Sequence, residues 1–307
     1  MVSISVIIIT RNRAALLDCC LSSIANQVLI PQEVVIVNND STDYTRSVIT
    51  KYKKLLPIRS IREAQIGTPY ARNAGIRIVK GDIVAFLDDD CTANDKWVSS
   101  IKEFFKKLPT AIGVIGNTSV ANNKSVSALV EFAYNRRWVL THIENPKTVC
   151  KIRSGVVIDS KNAAFRLGFI KHFLFSTLAP FGEVSNEDAE IGSRMFQQNH
   201  NIFYNPLMKA SHIYSPTVSK LLLRNFWRGY GDQLLFLRNG IDLNSPSHKP
   251  KGRVWALLSL KISKHLPIIK KIILFTLLFI YPLFSRLGRL VAIITWKLKI
   301  PISIPQR

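Results

Sequence analysis

Short apolar runs alternate with segments of helical periodicity in the amino-terminal third of the chain. Three runs are continuous rather than interrupted at every second position: residues 4–9, 33–37 and 83–87. Continuous apolar strands are typical of a parallel sheet that is covered on both faces. Helical spacing recurs in three intervening segments: residues 14–26, 43–54 and 68–80. This alternation predicts an α/β fold with a doubly wound, mostly parallel sheet flanked by helices.

The third predicted helix carries its own start and stop signals. Thr68 is expected at the N-cap, Pro69 at the first helical position and Gly81 just past the end. Farther along, residues 111–214 mix short strands and helices, and residues 218–239 are a basic, aromatic segment of helical period.

Each predicted strand ends in a polar cluster, and ligands of doubly wound sheets bind beyond these carboxyl ends. The clusters are residues 10–13, 38–43 and 88–90. On an extended backbone, the side chains of Asp88 and Asp90 point to the same side. Their hard oxygens suit Mg²⁺ or Mn²⁺, and such an ion neutralises a departing diphosphate. The alternative is a solvated acidic turn that closes a strand.

A second acidic cluster contains Glu187 and Asp188. A carboxylate here can accept the proton of an attacking hydroxyl, an effect worth about 10² to 10⁴ in rate. The alternative is ordinary helix-start chemistry, with Ser185 or Asn186 as N-cap and acids in the first turn. His212 follows a strand-like stretch and can complete a metal site, although a lone histidine is more often structural.

The charge of the chain is strongly basic and unevenly distributed. Lys and Arg number 42 against 20 Asp and Glu, a formal charge of +22. After Asp242 there are basic residues but no acidic ones. The excess indicates an anionic partner such as a phosphorylated substrate or a membrane surface. Four cysteines without metal or disulfide spacing, and no signal peptide, favour the cytoplasm.

The carboxyl-terminal part combines this charge with a long apolar run. Residues 272–285 are uncharged, are flanked by basic residues and contain Pro282. The run is shorter than the roughly 17–25 residues of a spanning helix, which favours an element lying in the membrane interface. The alternative is a helix pair that covers the core. Nucleic acid is not expected as a partner, because the charges lie among aliphatic rather than stacking aromatic residues.

The motifs and their order resemble the inverting nucleotide-sugar glycosyltransferases of family 2, which have the GT-A fold. The matching pieces run from residue 2 to about residue 230: SVIIITRNR from Ser5, CLSSIANQ from Cys20, NNDSTD from Asn38, Gly67, ARNAG from Ala71, DDD from Asp88, EDAE from Glu187, NP from Asn205, and His212. No single piece is decisive, but their joint order is specific.

The resemblance implies roles for individual residues. It makes Asp188 the catalytic base, with Glu187 beside it, and Asp88, Asp90 and His212 the ligands of Mg²⁺ or Mn²⁺. The implied nucleotide-sugar-binding residues are Thr10, Arg11, Asn39, Asp40, Arg72, Asp88 and Asp89. Asn38 and Asn39 replace a carboxylate pair of the family, which leaves the identity of the nucleotide open.

The resulting prediction is a metal-dependent, inverting transferase of a single sugar, since the Gln-x-x-Arg-Trp motif of processive synthases is missing. Residues 1–245 form the GT-A domain, with a nucleotide-binding half at 1–110 and an acceptor half at 111–245, and residues 246–307 form a basic, membrane-associating helical segment. The expected partners are a nucleotide-diphosphate sugar, a glycan or polyprenyl-linked acceptor, and the anionic inner face of the cell membrane. Alternatives are a sugar-phosphate nucleotidyltransferase, which needs a Gly-rich loop after the first strand, and a catalytically silent membrane-associated scaffold.

Overall fold

A computed structural model describes residues 2–122, 125–152, 158–177, 187–214, 217–240 and 266–299. Within these ranges the strands are β1 Ile4–Thr10, β2 Glu33–Asn38, β3 Ile58–Arg62, β4 Ile83–Leu87, β5 Cys91–Ala93, β6 Gly113–Val120, β7 Cys150–Lys151, β8 Asn162–Arg166 and β9 Ile202–His212. The helices are α1 Ala14–Ala25, α2 Thr45–Tyr52, α3 Thr68–Ile78, α4 Trp97–Lys107, α5 Val126–His142, α6 Leu167–Ile170, α7 Glu187–Gln197, α8 Val218–Asn239 and α9 Ile268–Leu298.

The strands form one mixed sheet in the order β3-β2-β1-β4-β8-β6-β9-β5, with β7 on β9. The first four strands of this order are parallel, and three of them, β2, β1 and β4, are the strands that the continuous apolar runs predicted. Strand β8 then runs antiparallel to both β4 and β6, while β6 and β9 are parallel. The parallel half therefore places the ends of β1, β2 and β4 at one edge of the sheet.

Apolar clusters cover both faces of the sheet. Side chains of β1 alternate between them, with Val6 and Ile8 in one cluster and Ile7 in the other. Helices α1, α2 and α4 contribute to the first cluster, and α3, α5 and α7 to the second. Burial on both faces is why these strands are apolar at every position.

The start of α3 differs from the sequence expectation. Gly67, not Thr68, is the N-cap, and the helix ends at Ile78. Gly67 has φ 142°, a region open to glycine, and its amide donates to the side chain of Asn39 at 2.8 Å. A side chain from the neighbouring strand end thus holds the loop that leads into α3.

The carboxyl-terminal helix α9 is longer than the uncharged run within it. It has 31 residues and includes Pro282, so the expectation that this region is too short to span a membrane is wrong. By length and composition it is the one helix of the described ranges able to cross a membrane, and only 22% of its apolar 18-residue window is buried in the protein. Residues 246–265 lie outside the described ranges.

Helix α9 packs on α8 and α5 along one face. Its inner side chains Leu274, Leu277 and Leu278 form a cluster with residues of α5 and with Leu221 of α8. Pro282 has no N–H to donate to the carbonyl of Leu278, and the hydroxyl of Tyr134 on α5 donates to that carbonyl at 2.8 Å. The domain therefore supplies the hydrogen bond that the proline removes.

Candidate active site

Ten of the predicted site residues line one cavity of about 250 Å³: Thr10, Arg11, Asn39, Arg72, Asp88, Asp89, Asp90, Glu187, Asp188 and His212. They come from the ends of β1, β2 and β4, from α3 and α7, and from the last residue of β9. The crevice expected at the carboxyl ends of the parallel strands is thus present.

The three aspartates after β4 form a turn, closed by a hydrogen bond of 3.0 Å from the amide of Cys91 to the carbonyl of Asp88. Their backbone is therefore not the extended stretch that the sequence argument assumed. Arg13 contacts Asp89 and Asp90 at 3.0 Å each. Burial raises the pKa of Asp89, although the guanidinium of Arg13 opposes this shift.

Arg72 joins the two acidic clusters of the cavity. Its Nη2 lies 3.1 Å from Asp88, and its Nη1 lies 2.5 Å from Glu187 and 3.2 Å from Asp188. Its side chain is buried and stacks over the ring of Phe175. One guanidinium therefore contacts three carboxylates and links the start of α7 to the end of β4.

Asp188 and Glu187 have different surroundings although they are adjacent. Glu187 is buried, whereas Asp188 is 36% exposed at its side chain. The other carboxylate oxygen of Asp188 accepts from the amide of Ser160 at 3.4 Å. Desolvation raises the pKa of Asp188, with Arg72 acting in the opposite direction. A more basic carboxylate that reaches the cavity is suited to accept a proton.

Asp90 and His212 are brought together by the pairing of β5 with β9, in which Cys91 lies opposite His212. Nε2 of His212 is 3.1 Å from Asp90, and ligand atoms of Asp90, Cys91 and His212 lie within 4.8 Å of one another. This spacing fits neighbouring ligands of an octahedral ion, about 3 Å apart for bonds of about 2.1 Å. Burial raises the pKa of the Cys91 thiol. Mg²⁺ and Mn²⁺ also prefer oxygen and imidazole ligands to sulfur, which favours Asp90 and His212 over Cys91.

The structure separates Asp88 from this group, because Asp88 contacts Arg72 instead. Two buried polar atoms, one carboxylate oxygen of Asp89 and Nδ1 of His212, have no hydrogen-bond partner among the described residues. A divalent cation therefore fits the residues present, with Asp90 and His212 nearest to one another.

The two residues predicted at the end of β2 differ in position. Asn39 lines the cavity, and its side-chain nitrogen Nδ2 donates to the backbone carbonyls of Glu63 and Gln65. These bonds fix Asn39 as part of the cavity wall. Asp40 is not among the lining residues and pairs with Arg62 on β3. The sequence could not separate them, because both follow the same strand.

Several lining residues were not assigned a role from the sequence. They are Arg13, Glu131, Asn135, Lys161, Arg224 and Arg228. Lys161 is paired with Asp159. The basic, aromatic composition of residues 218–239 was a signal for the two arginines of α8, whereas Glu131 lies in a helix without any distinguishing motif.

Comparison with known proteins identifies the class. The fold is similar to that of the mannosyltransferase PcManGT from Pyrobaculum calidifontis, solved with GDP-Man and Mn²⁺, with a TM-score of 0.60 over 98% of this chain and 88% of that one, at 16% identity. The family model of Glycosyl transferase family 2 matches residues 5–169. The chain belongs to this family of glycosyltransferases and has a GT-A-like α/β fold.

Curated relatives share parts of the chain. The validoxylamine A glucosyltransferase of Streptomyces hygroscopicus subsp. limoneus is 38% identical over 102 residues, 32% of this chain and 22% of the relative. Glycosyltransferase AglE of Haloferax volcanii is 26% identical over 249 residues, 78% of this chain and 76% of the relative. The match to the first relative thus spans about a fifth of its length.

Proposed function

We propose that the chain transfers a single sugar from a nucleotide-diphosphate sugar to an acceptor hydroxyl with inversion. The observation that supports this most is the convergence of the acids after β4, Arg72 and Asp188 on one cavity. A donor with its diphosphate at the acids after β4 would bring the sugar toward Asp188.

Asp188 is proposed as the general base. Its carboxylate is oriented by the amide of Ser160 and by Arg72, and the raised pKa strengthens it as a proton acceptor. Deprotonation of the acceptor hydroxyl increases its nucleophilicity as it attacks the anomeric carbon from the face opposite the diphosphate. Glu187 is proposed as a positioning residue, because it is buried against Arg72.

Mg²⁺ or Mn²⁺ is proposed as the cofactor, held by Asp90 and His212, while Asp88 stays paired with Arg72. When bound, the ion neutralises charge on the leaving diphosphate. Arg13 contacts Asp89 and Asp90, so its guanidinium limits the repulsion among these carboxylates and holds the turn in place.

The acceptor is proposed to be a glycan or polyprenyl-linked molecule at the cytoplasmic face of a membrane. The outer face of α9 supports this: Ile272, Phe279, Leu283, Leu287 and Leu290 are each at least 46% exposed. Basic residues flank this stripe, and each contributes about 1 kcal/mol near anionic lipid. A helix that packs on the domain along its inner side is placed to lie in the interface.

The function is tested by incubating the full chain with UDP-, GDP-, TDP- and CMP-sugars and Mn²⁺. We expect one nucleotide class to raise the melting temperature, because a ligand of the native state stabilises it. We also expect its sugar donor to be cleaved slowly without an acceptor. Asp90→Ala should abolish cleavage and the Mn²⁺-dependent part of binding, while Asp95→Ala, an exposed aspartate after β5, should change neither.

Two results would contradict this proposal. Full activity in EDTA, or in the Asp90→Ala protein, would overturn the metal assignment alone. If no nucleotide binds and no donor is cleaved while the chain still binds vesicles, the scaffold alternative is favoured.

A further inference from the structure

One wall of the cavity is formed by α5 and α8 and takes no part in the chemistry above. Glu131 and Asn135 lie one helical turn apart on α5, and Arg224 and Arg228 lie one turn apart on α8. All four side chains line the cavity. Residues four apart share a helix face, so each helix presents two polar side chains to the same space.

Two arginines on this wall share a single carboxylate. Nη1 of Arg224 lies 3.1 Å and 3.3 Å from the two oxygens of Glu131, and Nη2 of Arg228 lies 3.0 Å from one of them. Glu131 is only 1% exposed, whereas Arg224 and Arg228 are 20% and 31% exposed. The carboxylate is therefore enclosed, and the guanidiniums carry a net positive charge to the cavity.

Arg228, which contacts Glu131 on α5, also contacts a residue of α9. Its Nη1 donates to the hydroxyl of Tyr281 at 3.0 Å, and Tyr281 is 3% exposed. The ring of Tyr281 packs on Tyr134 with centroids 4.3 Å apart. A guanidinium with fixed orientation loses less conformational entropy on binding an anion than a mobile one.

The balance of charge differs between the α5–α8 wall and the rest of the cavity lining. Among the described residues, six Asp or Glu and six Lys or Arg side chains contribute to the lining. Five of these acids belong to the turn after β4 or to the start of α7, and the sixth, Glu131, lies on the α5–α8 wall. Four of the basic side chains, Arg11, Arg13, Arg72 and Lys161, lie in the same part of the lining as these five acids, so that part has a formal charge of −1. Arg224, Arg228 and Glu131 give the α5–α8 wall a formal charge of +1, which is suited to an anionic group between the guanidiniums and an ion at the acids.

We propose that Arg224 and Arg228, oriented by Glu131 and Tyr281, form a phosphate-binding site on the α5–α8 wall of the cavity. Guanidinium forks match phosphate oxygens in geometry and charge. The site rests on the proposed transferase function for its ligand, which is either the diphosphate of the donor or the phosphate of a lipid-linked acceptor. Both ligands present the same chemistry to the two arginines.

The donor arm of the test is calorimetric titration of the full chain with inorganic pyrophosphate in the presence of Mg²⁺. If the site takes the donor diphosphate, Arg224→Gln and Arg228→Gln should each weaken binding about tenfold, the value of one lost hydrogen bond to a charged group. Lys220→Gln removes an exposed charge from the same helix outside the cavity and should leave binding unchanged.

The acceptor arm is flotation of the same proteins with phosphatidylcholine vesicles, with and without polyprenyl phosphate. If the site takes the acceptor phosphate, pyrophosphate binding stays at the parental value and the gain in binding due to polyprenyl phosphate is lost in both arginine variants. Unchanged behaviour of both variants in both arms would overturn the site.

Folding and function are controlled separately. Arg224→Gln leaves the Arg228–Glu131 pair intact, so it tests the site even if Arg228→Gln unfolds, and the melting temperature of each variant reports this. Tyr281→Phe keeps the ring but removes the hydroxyl that orients Arg228. It should weaken binding of the same ligand by a smaller factor than the arginine substitutions do. Arginine-dependent pyrophosphate binding in a chain that cleaves no nucleotide sugar would overturn the proposed transferase and leave the site standing.

Discussion

Arg72 provides the positive charge closest to three carboxylates of the cavity. Its side chain lies among Asp88, Glu187 and Asp188, and both Arg72 and Glu187 are 5% exposed. Removing one partner of a buried pair leaves an uncompensated charge, which costs about 3–5 kcal/mol. The same charge also stabilises the deprotonated form of Asp188.

We therefore expect Arg72→Gln to lower the free energy of unfolding by about 3 kcal/mol or more, measured by urea denaturation. Arg77→Gln is the matched control, because Arg77 is exposed on the same helix. Equal unfolding midpoints for the two variants would show that the carboxylates around Arg72 are neutralised in another way.

A general base acts chiefly in the transition state, so Asp188→Asn should lower kcat by about 10² or more with donor affinity little changed. Glu190→Gln, on the same helix but outside the cavity lining, should retain kcat. An unchanged kcat in Asp188→Asn would return Asp188 to the role of a helix-start acid.

The pH profile of kcat provides an independent check on Asp188. Desolvation raises its pKa in the folded protein, and only the deprotonated form accepts a proton. We expect kcat to fall as the pH drops through this raised pKa and to do so at a higher pH than an exposed aspartate would give. The acid limb should be missing from the residual activity of Asp188→Asn.

At the scale of the element, the contact between α8 and α9 depends on two glycines. A Cβ at Gly288 would lie 1.9 Å from the carbonyl oxygen of Phe226, and one at Gly229 would lie 1.9 Å from that of Ser285. Both obstructions are backbone atoms, which cannot rotate away. The helices can approach this closely only because neither residue has a side chain.

Gly288→Ala should therefore force the two helices apart and destabilise the protein by about 1–3 kcal/mol or more, as overpacking does. The control is Gly168→Ala on α6, where a Cβ would meet nothing within 4 Å. In differential scanning calorimetry, Gly168→Ala should match or slightly exceed the parental melting temperature. Equal values for both variants would mean that α8 and α9 separate in solution.

At the scale of the whole molecule, α9 has two different faces. Its inner side chains complete a core with α5 and α8, so deleting it should expose Leu221 and Tyr134 as well as remove any membrane contact. The core-covering alternative describes the inner side of this helix, and the prediction of an interfacial helix concerns its exposed outer side. Substitutions on the outer face test membrane binding without removing the core contacts of α9, which truncation would also remove.

The triple variant Ile272→Glu, Phe279→Glu and Leu290→Glu should lose binding to anionic vesicles by at least about tenfold, because each apolar side chain contributes about 1.5–3 kcal/mol when fully buried. Its melting temperature should stay near the parental value, since these side chains are 53–78% exposed. Leu207→Glu on β9, at 62% exposure, is the control for a new charge elsewhere.

The dependence of vesicle binding on salt concentration measures how much the basic residues contribute to it. High salt should weaken flotation of the parental chain only in part, because screening acts on the basic residues and not on buried apolar area. Complete release by salt would mean electrostatic adhesion alone, and flotation of the triple variant equal to that of the parent would remove α9 from the membrane contact. Resistance to alkaline carbonate would indicate insertion.

The parallel half of the sheet and the position of its ligand crevice followed from sequence, because burial on both faces makes every position of a strand apolar and places polar residues at its end. Strands β1, β2 and β4 and the helix Val218–Asn239 are found where the patterns predicted them. Strand β3 was not predicted, because only Ile58 and Ile61 of its five residues are apolar and it lies at the edge of the sheet.

What only the tertiary structure decided is which charges meet. The sequence determined the acids after β4 and at the start of α7, but Arg72 joins them across 115 and 116 positions of the chain, and Arg228 meets Glu131 across 97. Pairings of this separation leave no local periodicity, because they depend on how helices pack on the sheet. The same packing decided which apolar side chains of α9 are buried in the core and which are exposed on its outer face.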